Sequence, residues 1–140
     1  MSMSETPAFA AGQRWQCKGR SADESPTLLI NLVETHPRGG SIYHITVEGL
    51  KLRHPAAPGG VMQKLAHLPV TIETLQHSVT TQLADAEPDP AYLEGYWQWR
   101  KAFDANQAGV FGNTLANVLH ILEKQFNGIP NVPPPGFRRS

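Results

Sequence analysis

An α+β fold is predicted, with an N-terminal antiparallel meander of three or four strands packed on three C-terminal helices. Two observations predict it. Apolar and polar residues alternate between residues 14 and 52, in runs joined by loops rather than by helical crossovers. Beyond residue 70 the apolar residues recur at helical spacing instead. A third observation bears on the shape of the sheet. The alternation slips by one residue at Gly49, which predicts a bulge or sharp bend that could curl the meander toward a small barrel.

The elements follow in order. In RWQCK (14–18), Trp15 and Cys17 point one way and Arg14, Gln16 and Lys18 the other, as a half-buried strand requires. GRSADESP (19–26) is a loop of turn formers whose charges are expected in solvent. TLLINLVE (27–34) is apolar on both faces, with Leu28, Ile30 and Leu32 on one and Leu29 and Val33 on the other. That is the pattern of a central strand covered on each side. THPRGG (35–40) is a loop. SIYHITVE (41–48) alternates again, with Tyr43, Ile45 and Val47 on one face, and Leu50 and Leu52 follow the slip. RHPAAPGG (53–60) is a second loop.

In VTIETLQHSVTTQL (70–83), Ile72, Leu75, Val79 and Leu83 fall within about 80° on a helical wheel. Thr71 is the candidate cap, just after Pro69. Asp89 followed by Pro90 signals the next helix: a capping carboxylate, then proline at the first helical position. Its stripe is Tyr92, Tyr96, Trp99 and Phe103, within about 60° of one another. Trp97 lies about 160° round from Trp99, beside Leu93. Either a second packing surface covers it, such as the last helix or the AGVF loop, or it serves a binding surface. The last helix starts near Thr114, carries Leu115, Val118, Leu119, Leu122 and Phe126, and ends at Gly128 and Pro130. Residues 12–128 are thus expected to form one domain. Residues 1–11 are expected to be a flexible arm, and the proline-rich 129–140 an extended tail.

A chain of 140 residues can bury roughly two thirds of its unfolded surface without staples. Lys plus Arg equals Asp plus Glu, at 12 each, and charged residues are only 17 % of the chain. A neutral, sparsely charged surface argues against nucleic acid, which is bound through clustered cations, and against a polybasic membrane anchor. It favours association with another protein or with a second copy. No apolar run reaches membrane-spanning length, and the N-terminus lacks a leader's pattern. The single cysteine, Cys17, forms no intrachain disulfide and suits a reducing, cytoplasmic setting.

Chemistry-bearing residues are sparse. Six histidines include no pair at the four-residue spacing of a helical zinc motif, so no metal or other cofactor is expected. His44, His54 and His67 are the three that could converge. Cys17 shares the inward face with Trp15 and reads as an inert buried thiol. His44 and Glu48 stand about 13 Å apart along one strand face, too far to touch. No nucleophile elbow or phosphate-binding loop occurs, and no catalytic residue is assigned. The expected interaction surface is the outward sheet face, Arg14, Gln16, Lys18, His44, Thr46 and Glu48 around Leu29 and Val33, together with Trp97. The expected function is a small cytoplasmic, non-catalytic protein-binding module, an adaptor or an immunity-type inhibitor. The alternative is a small enzyme or small-molecule binder with a pocket lined by histidine and aromatic residues.

Overall fold

Alternation in the first half and helical spacing in the second build one antiparallel sheet with helices against it. The computed structural model describes residues 9–36, 40–128 and 138–139. The expectations for residues 1–8, for the middle of the 35–40 loop and for most of the tail lie outside them. The strands are β1 (Arg14–Cys17), β2 (Thr27–His36), β3 (Gly40–Arg53), β4 (Val61–Val70) and β5 (Val79–Leu83). They lie in the order β4-β3-β2-β1-β5. The sheet is open, with β4 and β5 as its edges, so the bend at Gly49 does not close a barrel. That glycine does sit in the left-handed region, at φ 76°, within an irregular stretch of the β3–β4 register. The helices are α1 (Ile72–Ser78), α2 (Tyr92–Asp104) and α3 (Leu115–Phe126). Among the described residues no helix is long and apolar enough to cross a membrane.

One face of the sheet carries the apolar core. Trp15, Cys17, Leu28, Ile30, Tyr43, Ile45 and Val47 are buried there, as their alternation predicts. Leu75 of α1 and Leu115, Val118 and Leu119 of α3 close over them, each fully inaccessible. Burying one such side chain stabilises the fold by about 1.5–3 kcal/mol, so this layer is the main source of stability. The end of the expected arm joins it: Phe9 is buried and its ring lies 5.4 Å from that of Trp15. Thr114 caps α3 by accepting from the Asn117 amide, while Ser78 Oγ accepts from the Leu115 amide and joins α1 to α3.

Two segments depart from the sequence pattern. The helix expected through Leu83 stops at Ser78, and Val79–Leu83 becomes β5 beside β1. The spacing of Val79 and Leu83 suits a helix, but the edge of β1 offers unpaired backbone groups and the run VTT favours extended chain. Val61–Val70, whose sequence shows no clear alternation, form β4. Two register shifts against β3 break its alternation.

The opposite face of the sheet is covered as well. The segment 84–91 crosses it and leads into α2. A bulge in β2 makes this possible. Ile30 pairs with Ile45 but Leu32 pairs with His44, so Asn31 is the extra residue. Beyond it the phase is reversed. Val33 joins the apolar core rather than the outward face, and Glu34 comes onto the side of Ile42 and His44. A smaller apolar cluster of Ile42, Phe103 and Val110, with Trp99 against it, packs under α2. The backbone of Gly109–Val110 (β6) pairs with Arg138–Arg139 (β7), so this end of the expected tail returns to the fold.

Gly95 sets how closely α2 approaches β4. A Cβ built there would lie 2.9 Å from the Cβ of His67. Alanine in place of glycine normally stabilises a helix by about 1 kcal/mol. Here the contact is with the Cβ of half-buried His67, which is fixed to the β4 backbone and cannot swing away, and overpacking costs about 1–3 kcal/mol. Gly95→Ala is therefore expected to lower the melting temperature despite its better helix propensity. A melting temperature at or above wild type would show that α2 shifts without penalty.

Candidate functional site

The layer between α2 and the sheet is polar at its centre. Glu34 of β2 is the hub. Its Oε1 lies 2.8 Å from His44 Nε2. Its Oε2 accepts from the Tyr96 hydroxyl at 2.6 Å and from Arg100 Nη1 at 2.9 Å. Burial opposes ionisation of Glu34, but the hydrogen bonds from Tyr96 and His44 and the positive charge of Arg100 outweigh it. The carboxyl is held below its ordinary range. Tyr96 is pushed the other way, by burial and then by its hydrogen bond to Glu34, so its hydroxyl keeps its proton and donates.

The chain of contacts continues to β4. His44 Nδ1 lies 2.9 Å from His67 Nε2, the two rings within 16° of coplanar. His44 is 0 % exposed and burial holds it neutral. The tautomers follow from the network. Ionised Glu34 only accepts, so His44 Nε2 carries the proton. Neutral His44 then has a lone pair on Nδ1, and His67 Nε2 must donate to it. This leaves the outer nitrogen of His67, Nδ1, as an unprotonated base. Burial first, and then His44, lower the pKa of His67 to about 4. Thr71 Oγ1 is the one buried side-chain polar atom without a partner among the described residues, so His67 Nδ1 is not a buried orphan.

Aromatic rings frame the chain. His44 lies 4.9 Å from the ring of Tyr96 and 5.0 Å from that of Trp99, both edge-on. Trp99 stacks on Phe103 and donates to the Gly109 carbonyl at 2.9 Å. The entry to α2 is fixed separately. Bulged Asn31 donates to Thr46 Oγ1 and accepts from the Asp89 amide, both at 2.8 Å. Asp89 accepts from the Ala91 amide in the turn before α2, whose N-cap is Ala91 rather than the expected Asp89, and also pairs with Lys64 at 2.7 Å.

The expected outward face is therefore divided. His44 and Thr46 are buried under α2 and its lead-in and are not part of the outer surface. Lys18 and Glu48 are exposed, and Arg14 and Gln16 are half-buried. Arg14, Leu29, Thr46 and Glu48 line a cavity of about 380 Å³ whose far wall is residues 86–90. Trp97 is covered by neither candidate surface. It is 62 % exposed, with Leu93 at 42 % one turn before it.

Of the three candidate histidines, His44 and His67 meet and His54 does not. His54 stacks on Phe126, with ring centres 4.4 Å apart. Among the described residues no three side chains of His, Cys, Asp or Glu are grouped so as to hold a metal ion. Cys17 is buried and its thiol is pushed up to about 12 by desolvation, as suits an inert thiol. The RSADE loop is not simply solvated. Arg20 binds both carboxylate oxygens of buried Glu24 and reaches Glu123 of α3 at 2.9 Å. Sequence reasoning missed Glu34 because its partners depend on the bulge at Asn31.

No family model matches the chain, and neither does any curated protein sequence or solved structure.

The network makes a pH prediction. His67 has an ordinary value of 6.5 and a folded value of about 4. Between these the unfolded chain binds a proton that the folded one refuses. The stability from neutral His67 is thus complete above pH 6.5 and is lost as pH falls toward 4, a loss on the order of 3 kcal/mol. Denaturant melts across this window are expected to show the decline in wild type and a shallower one in His67→Gln. Long-range ¹⁵N–¹H NMR is expected to show both rings protonated at Nε2. An Nδ1–H signal from His44 at neutral pH would contradict the network.

Proposed function

We propose that the protein is a non-catalytic protein-binding module, of the adaptor or immunity-inhibitor kind, that works through the outward side of α2. The observation that carries this is Trp97. A tryptophan exposed at 62 % sits beside exposed Leu93 on a helix whose other side is fixed to the sheet. Tyr96 braces its ring edge-on at 4.9 Å. A large aromatic held on a rigid element loses little freedom on binding, and such residues dominate interface energetics. The zero net charge supports association with another protein or a second copy rather than with nucleic acid.

A second reading, a small enzyme or small-molecule binder, is favoured by one observation: the Glu34–His44–His67 chain ends in an unprotonated ring nitrogen. The two readings make opposite demands. The binding module needs Trp97 and tolerates His67→Gln. The enzyme needs His67 and tolerates loss of Trp97.

The test is the double variant Leu93→Ala, Trp97→Ala. Exposed substitutions shift stability by about 0.5 kcal/mol or less, so it is expected to melt like wild type. Capture of partners, or self-association measured by sedimentation, is expected to weaken by about 2 kcal/mol or more. Unchanged association by the folded variant would remove α2 as the binding face.

A further inference from the structure

The cavity under the lead-in to α2 is built like a ligand site, and it is independent of the outward side of that helix. At about 380 Å³ it lies near the low end of the roughly 300–1,000 Å³ typical of small-molecule pockets. Its floor comes from three adjacent strands, with Arg14 on β1, Leu29 on β2 and Thr46 and Glu48 on β3. Its far wall is residues 86–90. That wall is fastened at three points: the Ala86 amide donates to the Gly12 carbonyl, the Asp89 amide to Asn31, and Lys64 holds the Asp89 carboxylate. The cavity is thus pre-formed and needs no large ordering step.

Its charges are arranged across it. Arg14 is half-buried, and its guanidinium has no hydrogen bond or ion pair among the described residues. Arg14 sits opposite Leu29 in the β1–β2 register, and Leu29 sits opposite Thr46 in the next. Glu48 lies two residues along β3, so Arg14 and Glu48 stand on strands two apart, roughly 10 Å between backbones. Glu87 adds a second carboxylate from the wall. Asp89 is already satisfied by Lys64, and Glu48 is only loosely paired with it at 3.7 Å. Leu29, Pro88 and Pro90 supply apolar lining beside the charged groups.

We infer that this cavity binds a small apolar zwitterion, an amino acid or short peptide of about leucine's size. Its carboxylate is taken by Arg14 and its ammonium faces Glu48 and Glu87. A guanidinium matches a carboxylate in a two-bond fork, and a free one in a half-enclosed site is the group most improved by such a ligand. A purely anionic ligand meets two carboxylates, and a purely cationic one meets Arg14. Only a molecule carrying both charges satisfies both ends.

Isothermal titration of the whole protein tests this with four probes: leucine, glycyl-leucine, N-acetyl-leucine and leucinamide. Leucine or glycyl-leucine is expected to bind at millimolar concentration or below, and which of them binds tighter separates a free amino acid from a peptide. N-acetyl-leucine lacks the ammonium and leucinamide the carboxylate, so both are expected to bind about tenfold or more weakly. Arg14→Gln, shown to be folded by circular dichroism, is expected to lose the preference for leucine over leucinamide. Glu48→Gln is expected to lose the preference over N-acetyl-leucine. Heat from neither leucine nor glycyl-leucine, or equal binding by the folded Arg14→Gln protein, would overturn the assignment.

Discussion

The carboxylate of Glu34 joins the two halves of this molecule. It takes one hydrogen bond from β3, through His44, and two from α2, through Tyr96 and Arg100. Hydrogen bonds to a charged group contribute about 1.5–3 kcal/mol each, against the penalty of partly desolvating the carboxylate. That penalty is limited here because the Glu34 side chain keeps 23 % of its exposure. Attraction wins, and the carboxyl stays ionised. Removing the carboxylate would leave the Tyr96 hydroxyl and buried His44 without this acceptor and would leave Arg100 with Asp104 as its carboxylate partner.

The two faces of the sheet are held by different physics. Against α1 and α3 the contact is a continuous apolar layer, which is non-directional and tolerant of small shifts. Against α2 the apolar cluster around Ile42 and Phe103 is small, and directional bonds fix the helix. The bulge at Asn31 is what allows this. Asn31 and Glu34 are three residues apart and would face opposite ways in a regular strand. The extra residue brings both to the α2 side, where one fixes the start of the helix segment and the other its middle. Gly95 completes the arrangement by letting the helix backbone rest against His67. Trp97 faces outward because everything on the other side of α2 is engaged.

Much of the fold was legible in the residue pattern. Strict alternation marks β1 and β3, and Trp15, Cys17, Tyr43, Ile45 and Val47 share the core face that it assigns them. The stripes of α2 and α3 also point inward, because a helix has one apolar side to bury. What the pattern hides is phase. Each bulge reverses the facing of every later residue in its strand. Val33 and Glu34 are therefore misassigned from alternation alone, and β4, with its two register shifts, shows no clear alternation at all. Val79 and Leu83 fit a helix and an edge strand equally well, and the free edge of β1 decides between them. The candidate site was half visible. His44 and His67 are two of the three histidines that could converge, His54 being the one that does not, but their acid, Glu34, lies across a strand pair whose register no local motif reveals.

The central claim is that the Glu34 carboxylate specifically fastens α2 to an otherwise independent core. Native-state hydrogen exchange of wild type and Glu34→Gln, followed amide by amide, tests it most directly. Glutamine keeps the size and one acceptor oxygen but removes the charge. The account predicts that protection falls selectively in residues 92–104, while the amides of Ile45, Val47 and α3 keep theirs, as expected when one unit opens locally. A uniform loss of protection across the sheet and helices, or none in α2, would contradict it.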